Sequence, residues 1–182
     1  MVIDVVAYSE SWPAQFEMVA RDLRAGLTCC ASAEVEHVGS TSVPGLAAKP
    51  ILDIDVIVDQ AEVIEAVRAL TALGYVHRGD LGVGGREAFG APDDGIARHV
   101  YVVTRGTLAV RNHLAVRDTL RARPDLRDEY AAVKLALAAD PAMGIDAYLA
   151  LKTPILQRVL AAGGLSDAEL EIVARLNAPV GE

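Results

Sequence analysis

The chain has 182 residues, 52% of them hydrophobic and 23% charged. That is the composition of a folded domain rather than a disordered one, and the length lets it bury roughly 70% of the surface its unfolded form exposes. With 25 acidic against 17 basic side chains the formal net charge is −8, which argues against a generic nucleic-acid binder needing a basic footprint to release counterions. The mean hydropathy of +0.29 comes from Ala, Val and Leu spread along the chain. No run of about 18 uncharged apolar residues occurs, so no membrane span is expected. Met1 to Glu10 carries Asp4 and Glu10 and no basic residue, and does not read as a signal peptide. Cys29 and Cys30 are neighbours, which builds neither a disulfide framework nor a metal-binding pair; a reduced, cytoplasmic chain is expected.

In chain order, Ser11 is a helix cap with Pro13 in the first turn, and Phe16, Val19, Leu23 and Leu27 follow at helical spacing. Val35 to Val38 reads as a short strand. A loop from Gly39 to Pro50 leads into Ile51 to Val58, the most strand-like segment of the chain. Val63, Val67 and Leu70 make a second helix with Gly74 as its stop. Tyr75 to His77 is a short strand candidate. Gly79 to Gly95, with six glycines, reads as one long mobile loop, and His99 to Val103 as another strand. From Leu108 onward the pattern is helical. Pro124 divides two helices, Leu126, Tyr130, Val133 and Leu137 line a face of the second, and Ile145 to Ala162 is a third, stopped by Gly163 and Gly164. Ser166 and Glu169 form a capping box for the last one. The expectation is one α+β domain over 1–182: a mixed half to about 105, then a helical half from about 106. No internal repeat and no linker is evident.

The informative stretch runs from Val35 to Val56. In a strand, alternate side chains share a face, so Asp53 and Asp55 point one way while Leu52, Ile54 and Val56 fill the other. Two unpaired carboxylates at that spacing repel each other, and a cation resolves the conflict. Mg²⁺ takes oxygen ligands and commonly uses one or two carboxylates with phosphate oxygens and water. Upstream, Gly39 allows close approach of backbone to a phosphate, Ser40 and Thr41 add hydroxyl donors, and Lys49 adds a point charge. A phosphate-binding turn and a metal-binding strand together are the minimum equipment for phosphoryl or nucleotidyl transfer. The bland reading is that the aspartates sit at a solvated strand end. Gly39 to Gly45 lacks the Gly-Lys-Ser/Thr of a P-loop, and Gly82 to Gly85 lacks the spacing of a dinucleotide fingerprint.

The stretch Glu36-His37-Val38-Gly39-Ser40-Thr41-Ser42-Val43-Pro44-Gly45-Leu46-Ala47-Ala48-Lys49-Pro50-Ile51-Leu52-Asp53-Ile54 resembles the GrpB family of small proteins with the nucleotidyltransferase fold. Tyr8, Trp12-Pro13 and Phe16-Glu17 resemble the family's opening. Gly74-Tyr75, Arg78-Gly79, Gly85-Arg86, Arg98-His99, His113-Leu114, Arg117-Asp118, Leu120-Arg121, Glu129-Tyr130 and Lys152 continue the likeness over nearly the whole chain. A similar domain is appended to some dephospho-CoA kinases. The resemblance implies a small mixed sheet flanked by helices, with Gly39-Ser40 as the signature turn and Asp53 and Asp55 as the first two metal carboxylates. The superfamily's usual third carboxylate has no counterpart in Arg98 to Val103; Glu87, Asp93 or Asp94 could substitute, and the sequence does not select among them. Where the family often has His-hydrophobic-His, this chain has His99 and Tyr101.

The expected site is therefore Asp53 and Asp55 as catalytic, metal-holding acids, with Gly39, Ser40, Thr41, Lys49, Arg86, Arg98 and His99 binding substrate. The expected ligands are Mg²⁺, a nucleoside triphosphate and an acceptor of unknown identity. The alternatives are a non-catalytic ligand- or partner-binding module on the same fold and a metal-dependent phosphohydrolase. His37 is balanced between holding the turn and touching substrate. His113 is expected to be exposed or capping, Trp12 a core residue, and Arg111, Arg117, Arg121, Arg123 and Arg127 a solvated helix face.

Overall fold

The computed structural model describes residues 4–177, so the first three residues of the opening segment and the last five of the chain lie outside it. Helix α1 (Trp12–Gly26) is followed by β1 (Glu34–Val38), a 3₁₀ turn at Ser40–Ser42 and β2 (Leu52–Val58). Then come α2 (Val63–Ala72), β3 (Val76–His77), β4 (Arg86–Gly90) and β5 (Arg98–Thr104). The helical half is α3 (Leu108–Ala122), α4 (Pro124–Ala138), α5 (Ile145–Ala162) and α6 (Asp167–Leu176). The five strands order as β1-β2-β5-β4-β3, antiparallel except for the central parallel pair of β2 and β5. Connecting that pair requires a long crossover, and α2 with the β3–β4 hairpin supplies it. No described helix is long and apolar enough to cross a membrane.

The sheet has two unlike faces. Leu52, Ile54, Val56 and Val58 of β2, with Val100 and Val102 of β5, pack against α1 and α2 in the main core, which also takes Trp12, Phe16, Leu23 and Leu70. On the opposite face of β2 and β5 the apolar positions are Ile57 and Val103, covered by Ala109 and Val110 of α3. The rest of that face carries Asp53, Asp55, His99 and Tyr101, aligned by a register that sets Asp53 beside His99 and Asp55 beside Tyr101. The helical half has its own core of Leu120, Leu126, Tyr130, Leu156, Val159 and Leu160, and it takes in Val43 and Leu46 from the loop after the 3₁₀ turn. That loop therefore ties the two halves across the polar face.

Two expectations about elements change. Gly79 to Gly95 is not one long loop: Arg86–Gly90 is strand β4, paired with β5 from Arg86 beside Val103 to Phe89 beside Val100. The glycines mark its turns instead, with Gly79, Gly82 and Gly85 all at positive φ, a conformation other residues adopt at a steric cost. Ser11 precedes α1 but makes no side-chain cap; its hydroxyl lies 2.7 Å from that of Ser9. The Ser166–Glu169 capping box forms as read.

Candidate functional site

The signature turn is built against Asp53. Gly39 has φ +68°, and a Cβ at this position would sit 2.3 Å from Asp53 Oδ2. Any side chain there would push the turn off the carboxylate, so glycine is required by close approach as well as by conformation. The turn is held from behind. Ser42 Oγ donates to the Gly39 carbonyl at 2.6 Å, His37 Nε2 meets Thr41 Oγ1 at 3.0 Å, and the Arg121 guanidinium donates to the Ser42 carbonyl at 2.8 and 3.1 Å. His37 is buried and stacks on Phe16 with ring centroids 4.7 Å apart. Burial, then the neighbouring Arg121, push its pKa down to about 4. His37 thus holds the turn from the core side. Arg117 is also committed, with its Nη1 donating to Glu36 Oε2 at 2.5 Å. The arginines of α3 are accordingly not one solvated face: Arg117 and Arg121 fasten β1 and the turn to the helical half.

The two aspartates share a face but not an environment. The Asp53 side chain is 34% exposed, and its Oδ1 lies 3.1 Å from His99 Nδ1. Hydrogen bonding to Asp53 raises the His99 pKa against the opposing effect of burial. Asp55 is fully buried, and both its oxygens contact His113 Nδ1, at 2.8 and 3.1 Å. His113 is therefore neither exposed nor a cap. It reaches the sheet because α3 lies across Ile57 and Val103, which brings its ring over the last acid of the face. Burial disfavours its charged form, but the attraction and hydrogen bond of Asp55, then the charge of Asp53, more than offset that and raise its pKa.

The third carboxylate expected from the glycine-rich segment is not delivered by Glu87 or Asp93. Glu87 pairs with His77 at 2.6 Å, and Asp93 binds Arg98. Glu36 is the cross-strand partner of Asp55, but Arg117 occupies it. Among the described residues no group of three or more His, Cys, Asp or Glu side chains is arranged to hold a metal ion. Arg98 is not brought to the cleft. Its side chain is 6% exposed and spends its donors on Asp93, the Tyr75 hydroxyl and the Ile96 carbonyl. Arg86 does reach the polar face, with its guanidinium 4.9 Å from the centre of the Tyr101 ring.

Facing the turn and Asp53 is a cavity of about 160 Å³ that also takes in Thr41, His99 and Tyr148. The chain has only three lysines, and all three line it: Lys49 from the loop, Lys134 from α4 and Lys152 from α5. None forms a salt bridge among the described residues. Lys49 and Lys152 lie over the Tyr148 ring at 5.2 and 5.4 Å, and Lys134 over Tyr130 at 5.3 Å. Lys134 is buried, donates to the Ala47 carbonyl at 2.7 Å, and is pushed down to about 7 by burial and then by the charge of Lys152. Burial also lowers the pKa of Lys49 and of Lys152. Three amines desolvated around one void, with a single carboxylate beside them, make a cavity suited to an anion. Only Lys49 was legible as a site residue. Lys134 is hidden in the apolar stripe of α4, and the clue to it was its spacing of four from Tyr130 and eight from Leu126, both buried.

Residues 2–162 match the family described as GrpB protein. The UPF0157 protein BH1888 of Halalkalibacterium halodurans is 38% identical over 160 residues, which is 87% of this chain and 80% of that protein. The chain spans less than half of two other relatives: 43% of the UPF0157 protein YqkA of Bacillus subtilis, at 33% identity, and 44% of a dephospho-CoA kinase of Mycolicibacterium paratuberculosis, at 29%. Alignments to them cover 81% and 84% of this chain. The crystal structure of GrpB from Enterococcus faecalis superposes with a TM-score of 0.73 at 34% identity, covering 87% of this chain and 98% of that one. Cid1 in complex with its short product ApU shares the fold alone, with a TM-score of 0.52 at 18% identity over 71% of this chain and 42% of Cid1. The chain belongs to the GrpB family and is built on the nucleotidyltransferase fold.

Proposed function

We propose that the cleft binds a nucleoside triphosphate with Mg²⁺ and transfers its nucleotidyl group to a small-molecule acceptor. The observation that carries this reading is the convergence of the chain's three lysines, none in a salt bridge among the described residues, on the void beside Asp53 and Ser40. Polyphosphate is the anion that matches several cations beside a carboxylate, because a hard divalent ion held by Asp53 would offset the repulsion between the carboxylate and the phosphates.

The residues fit one such ion and not a full two-metal site. Asp53 offers an accessible oxygen; Asp55 would supply the second carboxylate charge of the pair, and phosphate oxygens and water the remaining ligands. When bound, the ion neutralises charge on the transferring group. The chain's own groups do the rest. Lys49, Lys134 and Lys152 with the Ser40 hydroxyl hold the β- and γ-phosphates, while Thr41, buried with its hydroxyl between His37 and the Ile51 carbonyl, supports the turn instead of touching phosphate as the sequence led us to expect. The acceptor's hydroxyl or amine attacks the α-phosphorus in line, the bond to the bridging oxygen breaks, and pyrophosphate leaves onto the lysines. His113, oriented through Nδ1 by Asp55, has no described partner on Nε2 and lines the cleft, where it can take the acceptor's proton.

Equilibrium titration of ATP, GTP, CTP and UTP, each with Mg²⁺, tests the reading. At least one should bind, and Asp53→Ala or Lys152→Ala should weaken it at least tenfold. No binding, or binding unchanged in both variants, overturns it. A second reading, nucleotide binding without transfer, is favoured by the missing third carboxylate among the described residues. Mass analysis of products separates the two: an acceptor adduct with pyrophosphate supports transfer, and intact nucleotide supports the binding module.

A further inference from the structure

Beyond the phosphate cavity lie two more voids, each sharing lining residues with the one before it. The first, about 200 Å³, shares Ser40, Asp53 and Lys152 with the phosphate cavity and adds Tyr101, Asn112 and His113. The second is larger, about 460 Å³, and lies between the β4 edge, the start of α3 and α6. It shares Asn112, His113 and Asn177 with the first. Its walls are of two kinds. Val83, Leu108, Ile172 and Leu176 are apolar, and Ile172 and Leu176 leave 44% and 48% of their surface exposed although α6 packs its Val173 into the helical core. The polar wall is Arg86, Asn112, His113 and Asn177, and Arg86 and Asn112 each keep one unsatisfied atom. Arg86 Nε and Asn112 Oδ1 are buried atoms without a hydrogen-bond partner. Arg86 also has no carboxylate partner among the described residues; its one described hydrogen bond, at 3.3 Å, goes to the Asp80 carbonyl.

A buried donor or acceptor left unmade is costly, more so for a charged group, so native proteins seldom keep two such residues around one cavity without a use. The pair dictates complementary chemistry. Arg86 calls for an anion, the carbonyl oxygen of Asn112 for an N–H or O–H donor, and the aliphatic wall for hydrocarbon. We infer that this cavity is a second ligand subsite for an amphipathic small molecule that joins a carboxylate, an N–H or O–H donor and a hydrocarbon body, as an apolar amino acid or hydroxy acid does. Binding here stands on the cavity alone. Its role as the acceptor subsite rests on the nucleotidyl-transfer reading: the ligand's O–H or N–H would form the new bond to the α-phosphorus as that of the leaving pyrophosphate breaks, with one proton released.

The probes are leucine, phenylalanine and 6-hydroxyhexanoate, followed by the side-chain amide of Asn112 and the methyl groups of Ile172 and Leu176 in NMR titrations. At least one probe should give saturable shifts at those three residues. Hexanoate, which lacks the donor, and leucinol, which lacks the anion, should bind at least tenfold more weakly than their parents. Arg86→Gln should cost the same factor. Asn112→Leu should abolish the shifts at Ile172 and Leu176 while leaving the melting temperature unchanged or raised, because it removes an orphaned buried oxygen; a merely structural asparagine would instead lower it. Absence of saturable shifts with all three probes up to about 20 mM, where even binding of about −2.3 kcal/mol would register, overturns the inference, as does a melting temperature that falls in Asn112→Leu with probe binding intact. Mg²⁺–nucleotide titrations on the same samples keep the two readings apart. Probe binding without nucleotide binding retains the subsite and removes the transfer role, and nucleotide binding without probe binding removes the subsite alone.

Discussion

The two faces of the central sheet are built from the same strands and obey different rules. On the α1–α2 face every inward position of β2 is aliphatic and buried, and it serves stability. Two residues along the same strand, turned the other way, Asp53 and Asp55 sit among histidines, a tyrosine and three unpaired lysines. The polar face pairs its acids with histidines and leaves its lysines without ion pairs among the described residues, which suits it to an anionic ligand. A sheet can bear such a face because the opposite one holds the fold.

The largest expected effect tests that division directly. Ile54→Ala empties a fully buried site and should lose about 2–5 kcal/mol in denaturant unfolding. Asp53→Asn, one residue away, removes a half-exposed pair with His99 and should change stability by less than about 1 kcal/mol, while nucleotide affinity collapses. Equal stability losses in the two variants would break the comparison.

Next in size is acid sensitivity from the core side. His37 is held neutral in the fold, with its pKa lowered to about 4 from an ordinary 6.5. The unfolded chain takes up its proton first. The stability this group contributes is complete above pH 6.5 and is lost as pH falls toward 4, on the order of 3 kcal/mol over that window. Unfolding free energies between pH 7 and 4 should show the decline, and His37→Phe should flatten it.

On the cleft side, Lys134→Met keeps volume but removes a buried cation. Affinity for nucleotide or for inorganic triphosphate should fall about tenfold to a hundredfold, the worth of a charge-assisted hydrogen bond of roughly 1.5–3 kcal/mol. Isothermal titration measures it, and no change would leave only Lys49 and Lys152 as anion ligands.

The legibility of the sequence follows the same division. Elements with a buried apolar stripe were readable because period-two and helical patterns report burial, and Ile51 to Val58 and Ile145 to Ala162 came within a residue of the observed β2 and α5. Strand β4 was masked by glycines that serve its turns, since a five-residue strand between turn signals has little periodicity to show. At the site, Gly39, Ser40, Lys49, Asp53 and His99 lie on or beside two segments that run past each other, so local pattern sufficed to gather them. Lys134 and His113 arrive on helices from 58 or more residues downstream of the strand acids. Only the packing of α3 and α4 over the polar face shows that they belong there. Arg98 failed for a local reason: it alternates with His99 on β5 and so points to the apolar side, where Asp93 and Tyr75 engage it.

The smallest expected effect is the pH profile of anion binding, and it separates Lys134 from its neighbours. Lys134 meets the charge of Lys152 from α5, of Lys49 from the loop and of Asp53 from β2, and lies over the Tyr130 ring on its own helix. With a pKa near 7 against an ordinary 10.5, it loses its proton in the folded state across neutrality while the unfolded chain keeps it. Two opposite consequences follow. Stability from this group rises between about pH 7 and 10.5, because the fold is relieved of a buried charge that the unfolded chain still carries. Affinity for a triphosphate falls over the same range, by at most tenfold per pH unit and by about tenfold between pH 7 and 8.5, since a neutral amine no longer attracts the anion and bound anion must pull the proton back. Lys134→Met should erase the step near pH 7 in the binding profile and leave the later declines of Lys49 and Lys152, whose pKa values are also lowered by burial. A step near pH 7 that survives in Lys134→Met would assign it to another group of the cleft, and a flat wild-type profile would mean that the anion does not reach the buried amine.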